Sequence, residues 1–378
     1  MSAPRDLVLV GTGAFVTEDA WGPGVLARSL AQWCSDHADP ARELTVVHRS
    51  AGGRERFLRT WKTIETEVPR APALRFLSAN DDALPARVAA AQALFVCVPD
   101  AAHADYVELG IAARTPTWIV KPLTGEGAAS IALAEAARTA DVPVWVDYHK
   151  RFDVSNRGLR HALDQEELGA PRLVSVRYSQ PRDLPLDGFA WAKDTDVFTY
   201  IGCHYVDQLY YVLPGLEIDR VEAHGISGPV HAEHGGLAFD TVLARLDGVW
   251  RGRPVSAQFE VGWGNPEGSP TKSLQIVEVV CDRGRYFLDQ ARRGGERWSD
   301  GGVSVPNPWF FSRVHDPLTG AARYQGYGDD SVRHFLDFTE APREARRRMR
   351  ANASLPWIDA AARVDRVLER VRAALEAD

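Results

Sequence analysis

Through the first 150 residues, short apolar runs alternate with Ala-rich stretches whose apolar positions recur at helical spacing. That pattern belongs to βαβ units stacked into a parallel sheet. Residues 6–10 read as a buried first strand, 44–47 as a second and 73–77 as a weaker third. The run 93–98 is unbroken and ends at Pro99, as expected of a strand covered on both faces. Residues 117–120 and 144–146 supply two more strands, and helices are predicted over 25–34, 103–113 and 128–140.

After residue 150 the apolar period shortens to two. Val174, Val176 and Tyr178 are interleaved with Ser175, Arg177 and Ser179, and Val255, Ala257, Phe259 and Val261 with Ser256, Gln258 and Glu260. Such alternation marks sheets with one buried and one exposed face, usually antiparallel. Helices are predicted over 154–163 and 198–212. A last one carries Trp357, Ala361, Val364, Leu368, Val371 and Leu375 on one face, with Pro356 near its start. The fold class is therefore α/β: a parallel-sheet domain over residues 1–150 and an α+β domain over residues 151–378.

The length of 378 residues suits two domains, and a chain of this size buries about three quarters of its unfolded surface without disulfide or metal staples. Its 44 basic and 51 acidic residues leave a net charge of −7, the wrong sign for gripping a nucleic-acid backbone. No apolar run reaches the roughly 18 residues of a membrane span, and no signal segment is evident, so a cytoplasmic location is expected. Cys34, Cys97, Cys203 and Cys281 are scattered and form no CxxC pair, which suits reduced buried thiols. The Arg-rich stretch 343–350 reads as a solvated helix face, because acidic residues flank it.

Lysine is scarce, occurring only at Lys62, Lys121, Lys150, Lys193 and Lys272, so its positions are informative. Gly11-Thr12-Gly13 directly follows the first strand, where backbone without Cβ lets a dinucleotide pyrophosphate approach helix N-terminal amides. Ala14 and Phe15 continue that turn, Val16 stands where a third glycine would complete GxGxxG, and residues 17–24 lengthen the turn. At the end of the second strand His48-Arg49-Ser50, with Arg54 close behind, lacks the carboxylate that pairs with ribose hydroxyls. Arg49 and Ser50 suit a 2′-phosphate, which favours NADP over NAD, and an ordinary basic turn is the plain alternative. Pro99 to His103 and Lys121-Pro122 follow consecutive strands, at the edge where open α/β sheets bind ligands. An ammonium at such a strand end must be desolvated or paired, which makes Lys121 a poor structural choice.

Asp147-Tyr148-His149-Lys150-Arg151-Phe152 and Gly202-Cys203-His204-Tyr205-Val206-Asp207 come further on. With the glycine turn, the Pro99 to His103 turn and Lys121-Pro122, these segments resemble the Gfo/Idh/MocA-type oxidoreductases, the sugar and inositol dehydrogenase superfamily. The ordered matches cover residue 7 to about 212. The resemblance implies an N-terminal Rossmann domain and a C-terminal domain with a large open sheet that often builds a homodimer or homotetramer. It implies hydride transfer between NAD(P) and a secondary alcohol or ketone of a sugar, cyclitol or sugar nucleotide. By motif position, Lys121 contacts the reacting oxygen and His204 passes its proton. Gly11, Gly13, Ala14, Phe15, Arg49, Ser50, Pro99, His103 and Lys121 belong to the cofactor site, and Tyr148, Arg151, Tyr200 and His204 to the substrate site. The chemistry agrees: oxidising a carbinol needs a base for the hydroxyl proton, and an ammonium stabilises the developing alkoxide.

Two positions depart from the pattern. Val120 replaces a glutamate before Lys121, and Tyr200 replaces an aspartate four residues before His204, a spacing of one helical turn. Tyr200 is then a relay or substrate contact, or it marks altered chemistry. Two alternatives to net oxidoreduction stay open: glycoside cleavage with a recycled dinucleotide, and a non-catalytic dinucleotide-binding regulator. Trp191, Tyr205, Trp263 and Trp309 are candidates to stack on a sugar face, with core packing as their default role. His231 and His234 read as a polar loop rather than a metal pair, and residues 326–330 could face the cleft. No metal is expected.

Overall fold

A computed structural model describes residues 6–19, 22–37, 42–188 and 192–377. Two compact units emerge: the first comprises the described residues up to 124 with 128–152 and 309–362, the second 125–127, 153–308 and those from 363 on.

The first unit opens with β1 (Leu7–Val10), buried at all four positions, and a short hairpin of β2 (Glu18–Asp19) and β3 (Gly22–Pro23). Then come α1 (Leu26–Asp36), β4 (Glu43–His48), α2 (Ala51–Glu67), β5 (Ala73–Ser78), α3 (Leu84–Ala90) and β6 (Ala93–Val96). α4 (His103–Ala113), β7 (Thr117–Ile119), α5 (Gly127–Thr139) and β8 (Val144–Val146) complete the alternation. Six strands pair in parallel in the order β5-β4-β1-β6-β7-β8. The chain reverses direction across this sheet between β1 and β6, so the ligand crevice of such a fold lies past the carboxyl ends of those two strands. α2 escaped the sequence reading because it is largely polar. It buries a single stripe of Gly53, Phe57, Thr60, Trp61 and Ile64.

The second unit opens with α6 (Val154–Asp164) and β9 (Pro171–Pro181), and a π-helical turn at Phe198–Gly202 runs into α7 (Cys203–Val212). β10 (Glu217–Ile226), α8 (Pro229–His234), β11 (Thr241–Trp250), β12 (Arg253–Asn265), β13 (Leu274–Cys281) and β14 (Arg285–Asp289) follow. β15 (Arg297–Ser299) and β16 (Gly302–Ser304) form a hairpin. The large sheet runs β10-β11-β12-β9-β13-β14, antiparallel at every pair except β12–β9. Burial alternates as the sequence period predicts: Val242, Ala244, Leu246 and Trp250 of β11 point inward, while Leu243, Arg245 and Val249 are exposed. Arg177–Glu260 (3.4 Å), Arg245–Asp247 (3.0 Å) and Arg285–Glu278 (2.9 Å) lace the outer face.

Residues 309–362 return to the first unit, whereas the sequence pattern grouped everything after residue 150 together. This segment holds β17 (Ser312–His315), β18 (Ala322–Gln325), α9 (Tyr327–Glu340) and α10 (Arg343–Ala351). The cause is apolar packing: α9 buries Val332, Phe335, Leu336 and Phe338, and the Phe335 ring meets Phe95 edge-on at 5.6 Å. Gly326 has φ 126°, with no room for a Cβ beside the Phe310 carbonyl, and the next four residues open α9 with Asp329 buried against Arg333. α10 buries nothing, so its arginines form a solvated face. α11 (Ile358–Ala377) begins in the first unit and ends in the second, and Ala361, Val364, Leu368, Val371 and Leu375 are all buried. Phe335→Ala is expected to cost about 3–5 kcal/mol, read as a lowered denaturant midpoint; a loss under about 1 kcal/mol would contradict the docking of α9 on the parallel sheet.

Candidate active site

The turn after β1 is built around two glycines with different demands. Gly11 has φ 107°, its amide donates to the Val47 carbonyl (3.0 Å), and a Cβ there would stand 1.9 Å from the Cys97 carbonyl oxygen. Only glycine fits this position. Gly13 is exposed, and a Cβ there would enter open space, the room a pyrophosphate needs. The amides of Val16 and Thr17 close back on the Gly13 carbonyl, while no backbone acceptor among the described residues takes those of Ala14 and Phe15. The lengthening of the turn is the β2–β3 hairpin, after which Val25 and Leu26 donate to the Phe15 carbonyl (2.8 and 3.1 Å). Gly24 lets the chain close this way, since its Cβ would lie 2.6 Å from the Ala14 and Thr17 carbonyl oxygens. The close approach usually granted by a third glycine thus falls to Gly24. Arg28, 4% exposed, locks the junction by donating to the carbonyls of Thr17 and Gly24.

At the end of β4, Ser50 caps α2 by accepting from the Gly53 amide (3.2 Å), and Arg49 is exposed beside it. Arg54 lies over the Phe76 ring at 4.8 Å, and Arg56 donates to the Thr12 carbonyl (3.1 Å), so only Arg49 of this group is uncommitted to packing or to the turn. A helix N-terminus with an exposed guanidinium and a hydroxyl is suited to a phosphate.

Past β6, Pro99 leads into a short 3₁₀ turn and His103 is fully buried. Its Nδ1 faces the Pro122 carbonyl (2.8 Å) and its Nε2 the Val98 carbonyl (2.9 Å), so it braces the two turns that flank the crevice. Lys121, half-buried, follows β7, and Val120 packs on the core of the unit, which accounts for an apolar residue there. Burial pushes the Cys97 thiol up to about 12, with Asp147 adding to the shift and Lys121 opposing it. Both charges therefore act at the strand end that faces Gly11, and the thiol is no thiolate nucleophile. Iodoacetamide is accordingly expected to leave Cys97 unmodified in the native protein near neutral pH, checked by peptide mass spectrometry.

Of the residues after β8, Tyr148 is fully buried, and Arg151, 4% exposed, donates to the carbonyls of Ala353, Ser354 and Leu355 (3.4, 3.2 and 3.1 Å). Their neighbours form a hydrogen-bonded pair. Asp147 Oδ2 is 2.9 Å from His149 Nδ1, and Asp147 Oδ1 accepts from Ser331 Oγ (2.6 Å). An acid two residues before a histidine at a strand end is the sign of this pair visible in the sequence.

In the second unit, His204 sits in the first turn of α7 and is 9% exposed. The preceding turn is π-helical: the Cys203 amide reaches back five residues to Phe198, whose ring leaves no room for a Cβ at Gly202. The α-helical spacing assumed between Tyr200 and His204 is thereby broken, and Tyr200 stacks on Trp263 (5.4 Å, 22°). π-turns of this kind occur often at functional sites. Asp196 caps the turn through the amide and hydroxyl of Thr199 (2.7 and 2.6 Å). Of the aromatic candidates, Tyr205 and Trp263 are buried, Trp309 is exposed and Trp191 lies outside the described residues. His231 stacks on Phe239, and His234 Nε2 lies 2.9 Å from the Pro185 carbonyl, both in or beside α8 rather than in a loop. Among the described residues no cluster of three metal-ligating side chains occurs, and no helix is long and apolar enough to cross a membrane.

Residues 156–287 match the family model of the GFO/IDH/MocA C-terminal domain. A myo-inositol dehydrogenase of Streptomyces leeuwenhoekii is 32% identical over 192 residues, which is 47% of this chain and 58% of the relative. A myo-inositol 2-dehydrogenase of Thermotoga maritima is 26% identical over 204 residues, 53% of this chain and 57% of the relative. The chain thus spans less than two thirds of the length of these curated relatives. In structure, scyllo-inositol dehydrogenase from Lactobacillus casei, solved with NAD(H) and scyllo-inositol, gives a TM-score of 0.67 over 99% of this chain and 97% of that one at 16% identity. UDP-N-acetylglucosamine 3-dehydrogenase from Acidithiobacillus ferrooxidans gives 0.65 over 98% and 97% at 17% identity. At the level of family these likenesses agree with one another and with the sheet order, and over residues 156–287 the match is to the GFO/IDH/MocA C-terminal domain.

Proposed function

We propose that the protein is an NAD(P)-dependent oxidoreductase that moves a hydride between the nicotinamide and a secondary alcohol or ketone of a cyclitol, sugar or sugar nucleotide. The observation that carries this reading is the glycine turn, where Gly11 tolerates no side chain and Gly13 opens into free space at the crevice of a parallel sheet. In this reading Gly11, Gly13, Ala14 and Phe15 take the pyrophosphate, Pro99 and His103 shape the adjoining turn, and Arg49 and Ser50 take the adenosine ribose or its phosphate. The nicotinamide, when bound, accepts or returns the hydride. Lys121 steadies the negative charge on the reacting oxygen, and His204 takes or returns the hydroxyl proton. Tyr200 and the neighbourhood of Tyr148 and Arg151 complete the substrate side. A homodimer or homotetramer built on the outer face of the large sheet fits the reading, and four free thiols suit the cytoplasm.

The test is a panel of inositols, sugars and sugar nucleotides incubated with NAD⁺ or NADP⁺, followed by the absorbance of reduced nicotinamide. Turnover with stoichiometric reduced cofactor supports net oxidoreduction. Turnover with no added cofactor and none accumulating would move the protein to glycoside cleavage with a recycled dinucleotide, and neither turnover nor a retained nucleotide would leave no enzyme to explain. Arg49 and Ser50 favour NADP, so Arg49→Ala is expected to raise the KM for NADP about tenfold, the loss of one exposed charge-assisted contact, while sparing NAD. Equal effects on both cofactors would remove Arg49 from the phosphate site.

A further inference from the structure

We propose that His149, held by Asp147, is a second acid–base residue for the reacting hydroxyl, supplied by the first unit; this rests on the oxidoreductase reading above. The Asp147 amide donates to the Ile119 carbonyl (2.7 Å), which continues the sheet one residue past β8 and sets its carboxylate beside the end of β7. That carboxylate is 2% exposed, takes Ser331 on one oxygen and faces His149 Nδ1 with the other. A carboxylate at Nδ1 fixes the tautomer, makes Nε2 the basic atom and supports the imidazolium that forms when a proton arrives.

Position separates this pair from an ordinary buried ion pair. The His149 ring stacks with Phe15 of the glycine turn (6.4 Å, 13°), and Phe310 and Tyr327 flank it at 5.2 and 5.7 Å. Titratable groups in contact with it include Asp147 on its own segment and Tyr327 of α9. The neighbouring Arg151 is committed to backbone carbonyls. Position 120 carries no carboxylate in this chain, and Asp147 supplies one at the end of the neighbouring strand β8. In the oxidising direction the carbinol C–H bond breaks and its hydride reduces the nicotinamide. The O–H bond gives its proton to His149 Nε2 and the C=O bond forms; reduction reverses each transfer.

The test uses the full chain loaded with NAD(H). In ¹⁵N-histidine spectra the His149 ring is expected as the Nδ1–H tautomer, shifting toward a tautomer mixture in Asp147→Asn. In a His204→Ala background, His149→Gln is expected to lower kcat/KM a further 10²-fold or so. Cofactor affinity measured by fluorescence stays within about twofold if the role is proton transfer. An Nε2–H tautomer, or a change confined to cofactor affinity, would overturn the proposal. If the parent protein turns over no substrate of the panel, the oxidoreductase reading fails and takes this one with it; if the parent turns over and His149→Gln is silent, only His149 is lost.

Discussion

Lys121→Ala is expected to lower kcat/KM by on the order of 10³ while leaving NAD(P)H affinity within about twofold. The Val120 amide pairs with the Val96 carbonyl, so Lys121 is the first residue beyond the sheet at β7. Its charge is felt at Cys97, and the Cys97 carbonyl is the atom that forbids a side chain at Gly11. The ammonium therefore borders the crevice at the switch in strand order, where developing negative charge on a substrate oxygen gains most from a fixed cation. In the reading proposed above the dinucleotide is held mainly by the Gly11 to Phe15 turn and the start of α2, so affinity should survive. Lys121→Arg is expected to recover little, because a guanidinium cannot give up a proton near neutral pH and its planar fork needs a different site. A small primary amine added to Lys121→Ala should restore part of the rate, whereas a merely structural lysine would not be rescued. Activity within tenfold of the parent would remove Lys121 from the reaction.

The strands were legible because their signals are local: a four-residue apolar run for β1, and a strict period of two for β9 and β12. Gly11 and Gly13 were legible because they sit directly after a strand. What stayed hidden depends on residues far apart in sequence or on a change of helical period. Helical spacing shows that α9 has an apolar face but not that the face meets Phe95 and Trp145 of the parallel sheet. Gly24 substitutes for a third glycine only because a hairpin stands between it and Gly13, and no fixed-spacing motif finds it. The π-turn at Phe198–Gly202 defeats the i, i+4 reasoning applied to Tyr200 and His204. Asp147 and His149 draw their meaning from Ser331, 184 residues away from Asp147.

Arg293→Ala should be among the most destabilising single changes in the second unit, costing about 3–5 kcal/mol. Its guanidinium grips Asp153 in a two-pronged pair, Nη1 to Oδ1 at 2.8 Å and Nη2 to Oδ2 at 2.7 Å, with side-chain exposures of 7% and 0%. Asp153 also caps α6 through the Ser155 amide (2.9 Å), so the ion pair and the helix start share one carboxylate. The same junction is tied by Asn156 Oδ1, which accepts from Gln208 (2.8 Å) and Gln290 (3.0 Å). Truncating Arg293 leaves a buried carboxylate with its cap contact but without its cation, and that desolvated charge, more than the lost attraction, sets the size of the effect. Asp153→Asn combined with Arg293→Met should therefore lose less than Arg293→Ala alone, since the amide keeps a cap acceptor and no charge stays buried. Denaturant midpoints of the second unit, followed by tryptophan fluorescence, decide the matter. A double variant less stable than the single one would show that packing of the arginine stem, not the stranded charge, dominates.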